Sequence, residues 1–257
     1  MQTLTHDQII TLAPAAATTN PISKASSKYS FVSTMDAIQL IESAGWVPYK
    51  ADQSSVREKT NDGFQRHLIK FTRSDMLLPN AEERIDLILF NSHDCGSAFR
   101  LAMGIFRFVC ANGMVVGNTN LEFSHRHINF DQDAFLSSVN AIAHNGSQIA
   151  DKVDTFKHIE LSPQENGIYA QAAAELISDT PEKVVTTDLL RARRWADRQD
   201  SSLWTTFNKV QENVMKGGVR RVNQKRTRKV KALDKDLKLN KALWTLTEKM
   251  AEIKMAA

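Results

Sequence analysis

Five residues carry the side-chain types that a transition-metal site needs: His93, Cys95, Cys110, His125 and His127. His125 and His127 are two apart, so on a strand both imidazoles share a face, and imidazole with thiol suits zinc. No CxxC or HxxxH spacing accompanies them. Surface histidines together with two buried free thiols account for the same residues, and no metal ligand is assigned. Ser92-His93-Asp94 holds the three residue types of a nucleophilic triad, but adjacent residues cannot aim at one another as a triad requires. Gly104, Gly113 and Gly117 fit neither a P-loop nor GxGxxG. Asp131-Gln132-Asp133 suits a helix start better than the clustered carboxylates of a nuclease. The reading is non-catalytic, with no cofactor expected and metal-dependent chemistry held in reserve.

The cations say more. Between Lys216 and Lys241 stand eleven basic residues against only Asp234 and Asp236, a local charge of +9 in a chain whose total is +4. A basic block on a mildly acidic body is the footprint of a polyanion-binding element; a solvated helix face or a basic linker is the plainer alternative. The block supplies Arg220, Arg221, Lys225, Arg226, Arg228, Lys229 and Lys231 as candidate phosphate contacts. A second set lies upstream: Arg66 and Lys70 alternate with Leu68, and Arg100 and Arg107 stand among Phe99, Phe106 and Phe108. Cations interleaved with aromatics are the ingredients of a surface that tracks phosphates and stacks bases. The phenylalanines suit a core at least as well.

Elements must position these residues. Thr5 and Gln8 have capping-box spacing for a short helix over residues 3–12, which Pro14 stops. A small-residue polar arm follows, and then a helix capped by Ser33 or Thr34 that ends at Gly45. Strand character appears in Trp46–Tyr49 and Gln65–Arg73, with Asp62-Gly63 as the hairpin signal between them. Arg84–Asn91 reads as a buried strand. The run Ser97–Cys110 fits a helix or a strand; the strand is preferred, pairing with Met114–Val116 and then with Leu121–Ile128.

After Asp131 the period changes. Phe135, Val139, Ile142, Gly146, Ile149, Val153 and Phe156 form one seam down a long helix, with Gly146 admitting a close neighbour. Further helices are expected over Ile168–Ile177, over Thr187–Trp195 and through Leu203, Phe207, Val210 and Val214. A last one starts near Asp234 and carries Leu239, Leu243, Leu246, Met250 and Ile253. The fold class is α+β: a mostly antiparallel sheet of about five strands over residues 1–130, backed by a long helix. Residues 131–257 form a helical region with its basic segment at 216–241, and the whole reads as one continuous domain. With 42% hydrophobic and 24% charged residues the composition is that of a globular protein. Two cysteines make no disulfide framework, and no apolar run reaches a membrane span, so a bacterial cytoplasm is the expected location.

The stretch Phe90-Asn91-Ser92-His93-Asp94 through Phe106-Arg107-Phe108-Val109-Cys110-Ala111-Asn112-Gly113-Met114 resembles the phage- and plasmid-encoded domain of unknown function 932 family. Its members carry N-S-H-D-G followed by F-R-x-V-C-x-N-G. The likeness extends through Tyr29–Val32, Arg66-His67, Gly217–Arg220 and Leu239–Trp244. Cys95 stands where relatives have glycine, which argues against a ligand role for it. The resemblance implies a mobile-element origin and no activity. Mobile elements encode single-strand annealing proteins with a Rad52-like core of hairpin sheet and long helix, often assembled as oligomers, and the element order here is compatible with that plan. The expected function is non-catalytic binding and annealing of single-stranded DNA, with duplex DNA or RNA as further ligands. The alternative is an interaction protein that acts on a host defence or regulatory complex.

Overall fold

A computed structural model describes residues 2–56, 59–77, 83–107, 112–115, 122–125, 127, 130–222 and 225–256. The chain forms two compact units, Met1–Gly146 and Ser147–Ala257.

In the N-terminal unit, α1 (His6–Leu12) starts at the expected capping box of Thr5 and Gln8, and α2 (Thr34–Ser43) is capped by the Ser33 hydroxyl. The antiparallel sheet follows: β1 (Val47–Gln53), β2 (His67–Leu77), β3 (Glu83–Asn91), β4 (Phe99–Arg107), β5 (Asn112–Val115) and β6 (Glu122–His125). The first five pair in sequence order, and β6 pairs with β4. One edge of β4 is taken by β3. The other is divided, with Arg107 to Gly104 facing β5 and Ala102 to Phe99 facing β6. The strand reading of Ser97–Cys110 therefore holds as far as Arg107, and Cys110 lies outside the described residues.

Asp62-Gly63 does not make a tight hairpin. It closes a longer connection, with Gly63 at φ +84°, and the strands are sealed by Ser54 N–H donating to the Arg66 carbonyl at 2.8 Å. Every residue of β3 is buried, its charged ones included. Arg84 pairs with Asp86 at 2.7 Å, Asp86 also accepts from the Tyr49 hydroxyl, and the Arg84 guanidinium lies 4.5 Å above the Tyr49 ring. Each charge enters the sheet with its counter-charge, as burial requires.

Helix α3 (Gln132–His158) carries the expected seam. Phe135, Val139, Ile142, Ile149, Val153 and Phe156 are all buried, and the boundary between the units falls at Gly146. A Cβ at Gly146 would stand 3.1 Å from Ile85 Cδ1, the close approach that the sequence suggests.

The C-terminal unit continues with α4 (Pro163–Ile177), α5 (Thr186–Leu189), α6 (Leu203–Lys216) and α7 (Leu233–Ala256). Its core gathers Phe156, Tyr169, Trp204, Phe207 and Trp244. Two expectations are corrected. The helix expected over Thr187–Trp195 stops at Leu189, because Asn213 Nδ2 captures the Leu189 and Arg191 carbonyls at 2.9 Å and turns the chain away. The α7 seam holds at Leu239, Leu243 and Met250, which are buried, and is corrected at its end: Ile253 is 65% exposed, while Trp244, Thr247 and Ala251 join the buried face. Trp244 stands 5.5 Å from Phe156 and 5.9 Å from Phe207, and Thr247 bonds the Tyr169 hydroxyl at 2.8 Å, so the largest ring sets the facing stripe. No helix among the described residues is long and apolar enough to cross a membrane.

Candidate nucleic-acid interface

Between α6 and α7 the basic segment is not helical. At the end of α6 the chain turns at Gly217 (φ +71°), runs out through Val219, Arg220 and Arg221, and returns through Lys225 to Arg228 as a short antiparallel ribbon. Gly218 N–H donates to Thr227 O at 2.9 Å, Thr227 N–H to Val219 O at 2.9 Å and Arg221 N–H to Lys225 O at 2.8 Å. The outward strand docks on residues 183–185, where Val185 N–H donates to Arg220 O at 3.0 Å and Val222 N–H to Lys183 O at 2.9 Å. Gly217 makes this possible. A Cβ there would lie 2.6 Å from the Arg228 carbonyl carbon, so the two backbones meet where only glycine fits.

Arg220 ties the ribbon down. Its backbone N–H and Nε donate to Asp188 Oδ2 and its Nη2 to Oδ1, each at 2.9 Å. These bonds hold the Asp188 carboxyl down at about 2. Arg221 Nη2 donates to Ser178 Oγ at 3.1 Å.

Beside the ribbon lies a cavity of about 390 Å³. Ile177, Val214, Val230 and Leu239 give it apolar ground, and Arg221, Lys225, Arg226, Arg228, Lys229, Lys231 and Lys235 surround it; among the described residues no carboxylate lines it. Arg226, Arg228, Lys229, Lys231 and Lys235 are exposed, and their side chains have no hydrogen-bond or ionic partner among the described residues. Crowded like charges raise the energy of the folded state, and an anion placed among them lowers it. Lys235 was not among the candidate contacts; its place in the charge run was the signal.

The pattern of the family described as Domain of unknown function (DUF932) matches residues 21–244. The chain belongs to this family. It is similar to two proteins of Escherichia coli (strain K12), UPF0380 protein YafZ and UPF0380 protein YfjQ. Each is 28% identical over 250 residues, covering 95% of this chain and 90% of the relative. Their names, like the family's, carry no activity. No solved structure matches.

In this DUF932 chain the sheet cations are placed differently from those of the ribbon. Arg66 Nη2 donates to Gly96 O at 2.9 Å. Lys70 is half-buried on β2, in register with Lys50 and Ile88, and Arg100 is half-buried on β4 opposite Phe90. Arg107 is 7% exposed with its Nε 3.7 Å from buried Glu83, which takes it off the accessible surface. Phe99 is core, packed edge-on to Phe135 at 5.3 Å. Phe108 lies outside the described residues, as does the side chain of Phe106.

The family stretch Asn91–Asp94 builds a buried polar cluster. Thr34 Oγ1 is its hub, 2.8 Å from His67 Nε2, 2.9 Å from Asn91 Nδ2 and 3.3 Å from His93 Nε2. Protonation follows from the partners. His67 Nδ1 faces the Gln65 carbonyl at 2.9 Å and so carries the hydrogen, leaving Nε2 to accept from Thr34. The Thr34 oxygen then accepts from Asn91 and from His93 Nε2–H. Burial drives both rings neutral, His67 to about 4 and His93 to about 3. His127 is also lowered by burial and stacks on Tyr29 at 4.7 Å. Ser92 Oγ bonds Ser97 Oγ, and Asp94 Oδ1 accepts from Gly96 N–H, both at 2.8 Å, so Ser92, His93 and Asp94 point three different ways.

Cys95 is exposed at φ +61°, the left-handed conformation that glycine adopts most easily, and its thiol pKa is raised, first by desolvation and then by Asp94. Cys110 and the His125 side chain lie outside the described residues. Among the described residues no three His, Cys, Asp or Glu side chains converge to hold a metal.

Proposed function

We propose that this chain is a non-catalytic nucleic-acid-binding protein of a mobile genetic element, acting on single-stranded DNA as a binding and annealing factor in recombination. The observation that carries the reading is the cavity of about 390 Å³, lined among the described residues by seven cations and no carboxylate. Five of those side chains have no partner among the described residues, which is the state a phosphate chain relieves. Contacts confined to phosphates leave base edges free to pair, as annealing requires. An antiparallel sheet with α3 packed on it through Phe135 and Phe99 is compatible with a Rad52-like plan, an argument from architecture alone.

The test is a salt titration of binding to fluorescent single-stranded and duplex oligonucleotides. About five phosphates engaged on a single strand give a log–log slope near roughly −3.5. Replacing Arg226, Arg228, Lys229 and Lys231 together by alanine is expected to flatten the slope to about −1. No binding by the folded protein at low salt, or an unchanged slope in the variant, overturns the reading. The apolar ground under the cations supports a second reading, a host protein seated there through apolar contacts; that complex would hold its affinity as salt rises.

A further inference from the structure

Among the described residues no aromatic ring lines the cationic cavity. Cations hold phosphates, but a single strand also presents the faces of its bases, and sites that favour single strands supply an aromatic surface for them. The C-terminal unit has one in the open. Of the four tryptophans, Trp46, Trp204 and Trp244 are at most 2% exposed, whereas Trp195 is 75% exposed. We propose that Trp195 is the base-stacking platform of the nucleic-acid site, and that it gives the protein its preference for single strands. The proposal rests on the nucleic-acid reading above.

Trp195 is not exposed through slackness, because the segment around it is pinned on both sides. Asn213 Nδ2 holds the Leu189 and Arg191 carbonyls, and Arg193 Nε donates back to Asn213 Oδ1 at 2.7 Å. Arg194 Nη2 donates to buried Glu212 at 2.8 Å, and Arg198 N–H closes a turn onto the Trp195 carbonyl at 3.1 Å. An indole held out on a fixed backbone loses little conformational freedom when a base settles on it.

The same pins lead to the basic ribbon. Arg193 Nη2 donates to the Gly217 carbonyl at 2.5 Å, and Gly217 is the residue whose Cα backs onto the Arg228 main chain. The tryptophan segment and the ribbon are thus anchored at one residue. Arg191 and Arg198, which flank the indole in sequence, are both exposed; Arg191 acts electrostatically on the Asp188 carboxylate, and Arg198 has no side-chain partner among the described residues. An exposed tryptophan can also anchor a protein partner. Its exposed guanidinium neighbours and its tie to a cavity that no carboxylate lines among the described residues favour a polyanion with planar bases instead.

Intrinsic fluorescence provides the test, because iodide reaches an exposed indole and is kept from the three buried ones. Oligo-dT is added to the full chain, iodide quenching is followed, and the anisotropy of a labelled copy reports binding independently. Protection of the quenchable indole is expected on binding. Trp195→Ala is expected to weaken single-strand binding roughly 5- to 150-fold while changing duplex binding less than about twofold, and Trp195→Phe to restore most of the loss. Labelled oligo-dT bound normally with the indole still open to iodide, or Trp195→Ala binding as tightly as the unaltered chain, overturns the platform and leaves the phosphate site standing. No anisotropy change at low salt overturns the nucleic-acid reading itself and the platform with it. The emission of the buried tryptophans reports that each variant is folded.

Discussion

Replacing Gly217 by alanine is expected to detach the basic ribbon from its seat. The residue sits at φ +71°, ψ −161°, a region that only glycine enters without strain. Holding alanine there costs about 1–3 kcal/mol. The added methyl would also stand 2.6 Å from Arg228 C, 2.7 Å from Thr227 O and 2.8 Å from Arg228 O. All three are main-chain atoms, so no side chain can swing aside, and the overpacking adds about 1–3 kcal/mol. Gly218 is a matched control. It too has a positive φ, at +88°, but the nearest atom to its added methyl is Arg193 Nη2 at 3.8 Å, so only the conformational cost remains. The assay is limited trypsin digestion, since the ribbon and the segment after it offer Lys225, Arg226, Arg228, Lys229 and Lys231. Cleavage there tracks the population of the opened ribbon. Gly217→Ala is expected to be cut at least tenfold faster than the unaltered chain and clearly faster than Gly218→Ala. Equal cleavage rates for the two variants would refute the close-packing argument, because both positions have a positive φ and only Gly217 meets main-chain atoms.

The remaining predictions concern the histidine cluster. His67 is held neutral with its pKa at about 4 against 6.5 for a free imidazole, so the unfolded chain binds the extra proton first. Its contribution to stability is complete above pH 6.5, falls as the pH drops and is lost below about 4, amounting to about 3 kcal/mol. Urea midpoints are expected to fall from pH 7 to pH 5, with the His67 ring resonances still those of neutral imidazole at pH 5; a ring that titrates near 6.5 refutes this. Thr34→Val keeps the shape but removes the hub hydroxyl, leaving His67 Nε2 and His93 Nε2–H buried without their partner. A loss of about 2–5 kcal/mol in urea unfolding is expected, and a loss below about 1 kcal/mol would show that the hub is not the bond donor inferred here.

Local chemistry was legible in the sequence wherever a short stretch decides its own structure. The Thr5–Gln8 capping box, the Ser33 cap, the seam from Phe135 to Phe156 and the close approach at Gly146 are all read from spacing, because neighbouring residues alone set helix starts and buried faces. The basic block was legible as charge. Its form was not: the ribbon between α6 and α7 follows from Gly217 meeting the Arg228 backbone, a contact between residues eleven apart. Tertiary structure also decided which cations remain available. Arg220 is taken by Asp188 and Arg107 is buried beside Glu83, partners 32 and 24 residues away that no local pattern links to them. The same holds for Trp195. In the sequence it ends an expected helix; the reach of Asn213 to the Leu189 and Arg191 carbonyls ends that helix early and leaves the indole in solvent. A sequence by itself determines residue types, periodicity and charge. Only the folded chain decides which polar groups satisfy one another, and so which are left to meet a ligand.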